Sequence, residues 1–300
     1  MLVFALCIPG LSRGQSSVVL EPAAQKFLGA RGMALGDAIG SDESDIEAMY
    51  QNPGTLSFLR APGVMIDERH DYENQVFREN FAGRLFANRL QAVGIGLGVE
   101  TAGKLTKNGP FNFEQYDLDA GYSIRITPLS PSLSLGLLGN FRMGKDDSAS
   151  HSAARFSLGL LYTPAPGTSY SVILRGMGTD LSYTADNSSG SWITRGEAVH
   201  PSRSLEIGST MRYPAMSGIP YITLSIAGEK DFVTRVLRIR GGFEAIVMDI
   251  VSFRVGYVNA EIRQFRFGAG LAISRLSFDY AIMPVTGAGR FDEVTLKYVL

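Results

Sequence analysis

Two sets of opposite charge dominate the residues able to do chemistry. Asp37, Asp42, Glu43, Asp45 and Glu47 crowd into eleven positions near the start of the chain, while Arg125, Arg155, Arg212, Arg238, Arg240, Arg254 and Arg266 are spread from position 125 to position 266, most of them between apolar neighbours. Guanidinium and carboxylate pair through strong, directional hydrogen bonds, which suits static fastening rather than proton transfer. The expectation is that some of the five acids pair with these arginines; the alternative is that each charge is simply solvated. Nothing else in the chain points to catalysis. His70, His151 and His200 have no ligand spacing and are expected as solvated loop residues. No serine and histidine fall into a nucleophilic pair, and the single cysteine, Cys7, leaves no thiolate site. Gly94-Ile95-Gly96-Leu97-Gly98 has the look of a phosphate-binding loop, but no helix follows it. The chain is therefore read as no enzyme, with no metal site, no cofactor and no nucleic-acid partner.

The elements that must carry these charges follow from composition and period. The 300 residues are 45% hydrophobic and 19% charged, with a net charge of −1, and the mean hydropathy is +0.07. Beyond the first dozen residues no stretch approaches the roughly 18 apolar residues of a membrane helix, which excludes a helical membrane protein. The apolar residues instead alternate. Tyr116, Leu118, Ala120, Tyr122, Ile124 and Ile126 stand between Asp117, Asp119, Gly121, Ser123 and Arg125, and Phe265, Phe267, Ala269, Leu271 and Ile273 enclose Arg266, Gly268 and Gly270.

Such runs of roughly ten residues match the length of a tilted strand crossing a bilayer. Fourteen are expected, near 64–69, 76–86, 90–100, 114–126, 132–143, 153–162, 169–178, 203–213, 220–228, 235–246, 250–259, 264–273, 276–284 and 291–300. Short turns and longer polar loops alternate between them, the largest loop spanning residues 181–202 with the sole tryptophan, Trp192. A soluble sandwich or lipocalin-like barrel gives the same alternation. Arginine and glycine on the polar face, and an apolar face nearly free of charge, favour an all-β transmembrane antiparallel barrel of about 14 strands. Gly94, Gly96 and Gly98 then face inward and leave room for something inside; a weaker reading makes them a kink where the wall opens sideways.

Residues 1–14 read as a secretory signal peptide, 62–300 as the barrel, and 15–61 as an N-terminal segment of another kind. It is glycine-dense, with a short helix expected over residues 44–50, capped by Ser41 or Ser44, and an Asn52-Pro53-Gly54 turn. The stretch Phe27-Leu28-Gly29-Ala30-Arg31-Gly32-Met33-Ala34-Leu35-Gly36-Asp37-Ala38, an acidic bend, and Met49-Tyr50-Gln51-Asn52-Pro53-Gly54-Thr55-Leu56 resembles the opening of the PorV/PorQ outer-membrane family. It is more distantly similar to FadL. Gly54 stands where that family usually has alanine.

The resemblance implies a barrel plugged by this segment in the outer membrane of a diderm bacterium. Gly29, Arg31, Gly32, Gly36, Asn52, Pro53 and Gly54 would be the plug motif, and the arginines above would face the lumen. It also implies a function: a type IX secretion-associated component that binds secretion-system proteins through its external loops. The alternative it implies is a FadL-like channel for hydrophobic small molecules.

Overall fold

The computed structural model describes residues 29–59, 62–71, 76–102, 113–127, 129–146, 149–179, 182–185, 203–213, 221–259, 263–284 and 289–300. The expected signal peptide with Cys7, His200, Trp192 and most of the 181–202 loop lie outside the described residues.

The alternating segments become β1 (Gly63–Asp71), β2 (Val76–Ala87), β3 (Gln91–Ala102), β4 (Phe113–Arg125), β5 (Leu133–Asp146), β6 (Ala149–Ala165), β7 (Thr168–Gly178), β8 (Ser182–Ala185), β9 (Ser204–Tyr213), β10 (Tyr221–Asp231), β11 (Leu237–Val247), β12 (Val251–Asn259), β13 (Arg263–Ile273), β14 (Leu276–Pro284) and β15 (Arg290–Val299). Neighbours pair antiparallel, β1 pairs β15, and β5 pairs β6. The short β8 pairs the far end of β6, beyond the point where β7 leaves it, so β7 and β8 form one crossing. The result is a closed antiparallel barrel of 14 strands.

This barrel is inside out relative to a soluble one. Along β4, Gln115, Asp117, Asp119 and Ser123 are buried, while Tyr116, Leu118 and Tyr122 are exposed. Phe253, Phe267, Phe278 and Leu296 are exposed too, and Arg254, Arg266 and Asp279 are buried. Water would reject such an apolar surface and a bilayer accepts it, whereas charges are tolerated inside a barrel where they find partners or water. The closed ladder satisfies every strand's backbone without exposing an edge to lipid. No helix among the described residues is long and apolar enough to cross a membrane.

Several expectations are corrected. His70 belongs to β1, beside Glu68 and against Phe77, and His151 is buried in β6, stacked on Phe113; neither is a solvated loop residue. The strands overrun the expected loops: β5 ends at Asp146 and β6 begins at Ala149. Loop lengths therefore sort less sharply than the polar composition suggests.

The ladder on both sides of Gly94, Gly96 and Gly98 is continuous, and the bulge in β2 falls beyond them, between Arg84 and Phe86. The glycine run is no opening in the wall.

The N-terminal segment folds into α1 (Ala30–Ala34), α2 (Ala48–Gln51) and a 3-10 turn (Pro53–Ser57). The expected helix over 44–50 starts only at Ala48, with no side-chain cap. Ser44 donates instead to Asp42, and Ser41 bonds Thr210 of the wall. Serine competes for local and tertiary partners, and here those win over capping.

Candidate functional site

The segment 29–59 is almost wholly buried against the inward faces of strands on opposite sides of the barrel. Two regions of wall glycine make this approach feasible. On one side a methyl at Gly242 would stand 2.6 Å from the Leu35 carbonyl, and one at Gly256 would collide with the Gly36 amide. Opposite, a side chain at Gly136 would meet the Pro53-Gly54 peptide, one at Gly159 the Asn52 amide, and one at Gly96 the Tyr50 hydroxyl. Glycine is the residue that lets two backbones approach this closely.

Within the segment the motif residues set backbone geometry. Gly29, at φ 106°, leaves the space that the Glu47 carboxylate fills, and Glu47 Oε2 accepts from Gly32 N at 2.7 Å. The first helical amides find wall acceptors: Gly29 N donates to Glu293 at 3.1 Å and Ala30 N to Thr295 at 2.7 Å.

At the Asn52-Pro53-Gly54 turn, Asn52 Oδ1 accepts from Gly54 N at 2.9 Å while its Nδ2 donates to Gly40 O at 2.8 Å. Ser123 and Ser134 donate to Gly54 O, and Arg125 donates to Ser57 O at 2.8 Å while covering the Phe58 ring.

The charges form one continuous chain of contacts. Arg31 lies between Asp42 and Glu244, 2.7 Å from each. Arg212 reaches Asp42 and, at 2.9 Å, Glu43. Glu244 also takes Arg254 at 2.6 Å, and Arg254 takes Asp279 at 2.5 Å. Asp279 shares Lys297 at 2.8 Å with Asp45 at 2.5 Å and Glu47 at 2.7 Å. Four cations thus face six carboxylates across the segment and strands β9, β11, β12, β14 and β15. Asp37 pairs separately with Arg266.

All five acids of the segment therefore meet a cation. Of the expected arginines, Arg212 and Arg266 pair with these acids, Arg254 joins the chain through Glu244 and Asp279, and Arg125 binds the turn. Arg238 and Arg240 belong to a second cluster with Glu206, Glu229, Asp231 and Arg175, whose Nη2 also donates to Gln51 O at 3.0 Å. Arg155 is buried in β6.

The sequence reading missed the wall's own partners, Glu206, Glu229, Glu244 and Glu293, and the inward Arg78, Arg84, Arg142 and Arg175; Lys297 fell on the polar face of the last strand, but its pairing with three acids was not read. Strand parity was the available signal for Glu206, six positions from Arg212 on β9, and for Glu244, four from Arg240 on β11. Among the described residues no group of three or more His, Cys, Asp or Glu could hold a metal ion.

Burial alone would raise the Asp42 carboxyl, and the Arg212 and Arg31 guanidiniums outweigh it and hold the group well below the usual carboxylate range. Glu47 goes the other way. Burial pushes it up to about 7, opposed by Lys297 and helped by Asp45 and Asp279, because one ammonium serves three carboxylates. A carboxyl that holds its proton more tightly when folded contributes stability that is complete below its ordinary 4.5 and lost as pH rises through about 7. Protease access to the segment in the folded barrel should accordingly rise over that interval, and Glu47→Gln should flatten the dependence.

A cavity of about 600 Å³ adjoins the ion-pair chain at the end of the barrel where the β11–β12 and β13–β14 turns lie, lined on its apolar side by Ile46, Phe58, Leu59 and Ile246.

No family model matches this chain, and no curated protein does. Solved structures do. The Ralstonia pickettii toluene transporter TbuX superposes with a TM-score of 0.64 at 13% identity, over 92% of this chain and 99% of that one. A Pseudomonas aeruginosa FadL homologue gives 0.58 at 12%, over 91% and 98%. The Acinetobacter baumannii outer membrane protein Omp33 gives 0.50 at 7%, over 80% and 98%. At these identities the likeness is one of fold, and the fold of this chain is that of the FadL-type outer-membrane barrels.

Proposed function

We propose that this chain is an outer-membrane channel for hydrophobic small molecules, exported by residues 1–14 and closed at rest by its N-terminal segment acting as a plug. The observation that carries the reading is the way residues 29–59 are fastened across the interior by buried ion pairs while an apolar-lined cavity is left beside them. Such a site, concave and largely apolar with a few fixed polar groups, is what a small hydrophobic ligand needs. The fold shared with a toluene transporter and a FadL homologue supports the same reading. It therefore moves ahead of the secretion-associated PorV/PorQ reading.

One observation favours that second reading: the interior around the segment is filled with charge, as expected of a barrel that binds protein partners rather than passing apolar molecules. The two separate by experiment. Vesicles containing the purified barrel should take up toluene faster than protein-free vesicles at equal lipid. Equal rates, together with secretion-system proteins co-purifying from outer membranes, would overturn the channel and favour the partner-binding role.

A further inference from the structure

The cavity beside the ion-pair chain has an apolar face and a charged one, and the charged face is out of balance. Each of its four cations is already engaged by at least two carboxylates, and in the lining itself Glu43, Asp45, Glu244 and Asp279 match those cations one for one. Asp249, exposed at the β11–β12 turn, adds one more carboxylate to the lining.

The unspent hydrogen-bonding capacity is also on the acidic side. Glu43 gives Oε1 to Arg212, while its Oε2 is buried and accepts no hydrogen bond. Arg31 Nη1 is likewise without an acceptor, but its guanidinium already faces Asp42 and Glu244, so a third anion there would meet net repulsion. An uncompensated carboxylate oxygen beside an apolar wall calls for a donor that carries positive charge and brings an apolar body.

We infer that this cavity is a binding site for hydrophobic amines, the protonated nitrogen held by Glu43 and the body lying on the apolar face, and that it rejects hydrophobic carboxylates. This deepens the channel reading, on which it rests, by naming the charge class that this end of the barrel selects. The volume suits a molecule of this kind: a phenylalkylamine fills part of about 600 Å³ and leaves space for water at the charged face.

The test compares three probes of one shape, 4-phenylbutylamine, 4-phenylbutanol and 4-phenylbutyrate, by calorimetry on the purified full-length barrel in uncharged detergent at neutral pH, where the amine is protonated and the acid ionised. The amine should bind about tenfold more tightly than the alcohol, or about 1.4 kcal/mol, and the acid more weakly than either. Glu43→Gln should bring the amine down to the affinity of the alcohol. 4-Phenylbutyrate binding as tightly as the alcohol, or an amine advantage that survives Glu43→Gln, would overturn the site. The wild-type ranking stands without the variant should the latter fold poorly. Toluene uptake measured in the same preparation keeps the two readings apart: uptake without amine preference overturns the site alone, and amine preference without uptake supports the site and overturns the channel.

Discussion

Asparagine at both Asp42 and Asp45 should turn a quiet barrel into a leaky one, with planar-bilayer recordings showing ion current that the native chain does not carry. The physical ground is the desolvation of charge. Asp42 is fully buried between Arg31 and Arg212, and Asp45 sits 2.5 Å from Lys297. Removing one partner of a buried pair leaves the other charge uncompensated, at about 3–5 kcal/mol. The double change removes two of the bridges between segment and wall and leaves Arg212 and Lys297 to the remaining carboxylates, Glu43, Glu47 and Asp279.

The strand ladder does not depend on either residue, so the barrel should keep its β-sheet circular dichroism while its interior loosens. Current should then grow with the number of pairs removed, Asp42→Asn alone giving less than the double variant. A baseline as quiet as the native one, from a correctly inserted double variant, would remove the plug from the proposed function.

The strands were legible because a membrane barrel writes its wall with a period of two and little else interferes. The expected runs coincide with the observed strands to within a few residues wherever one face is uniformly apolar, as at 264–273 against Arg263–Ile273. They fall short where strands continue into polar sequence above the lipid belt. There His70 and His151 lack apolar neighbours to mark them, although the backbone ladder goes on.

The segment was legible as a motif but not as a structure. Its α1 helix, ARGMA, is rich in helix formers but only five residues long and interrupted by a glycine, too short to hold by itself; the wall acceptors Glu293 and Thr295 and the wall glycines opposite settle it instead. The same applies to the ion pairs. The segment's acids could be read, but which cation each meets depends on strand register. Glu244 entered the chain of contacts, and Lys297 met its three acids, only once that register was known.

Gly136→Ala combined with Gly256→Ala should open the barrel as effectively as removing the acids, with every charge still in place. A methyl on Gly136 would collide with the Pro53-Gly54 peptide, and one on Gly256 with the Gly36 amide and, at 2.5 Å, the Ala34 carbonyl. The obstacles are backbone atoms, so no flexible side chain can swing away, and the overlap must be relieved by moving the segment. Overpacking of this kind costs about 1–3 kcal/mol per site. Alanine in a strand is no worse than glycine and usually better, so the wall itself should be as stable as before.

Gly228 provides the control, because a methyl there meets nothing within 4 Å. Gly228→Ala should leave both the current and the protease resistance of residues 29–59 at native levels, while the double variant raises the current and exposes the segment. Should Gly136→Ala and Gly256→Ala prove as silent as Gly228→Ala, close steric seating is not what holds the segment. The ion pairs alone would then account for its place. Should both routes open the barrel, the charges and the glycines act as two independent fastenings of one closure, and combining Asp42→Asn with Gly256→Ala should give additive losses, as expected for sites that share no partner.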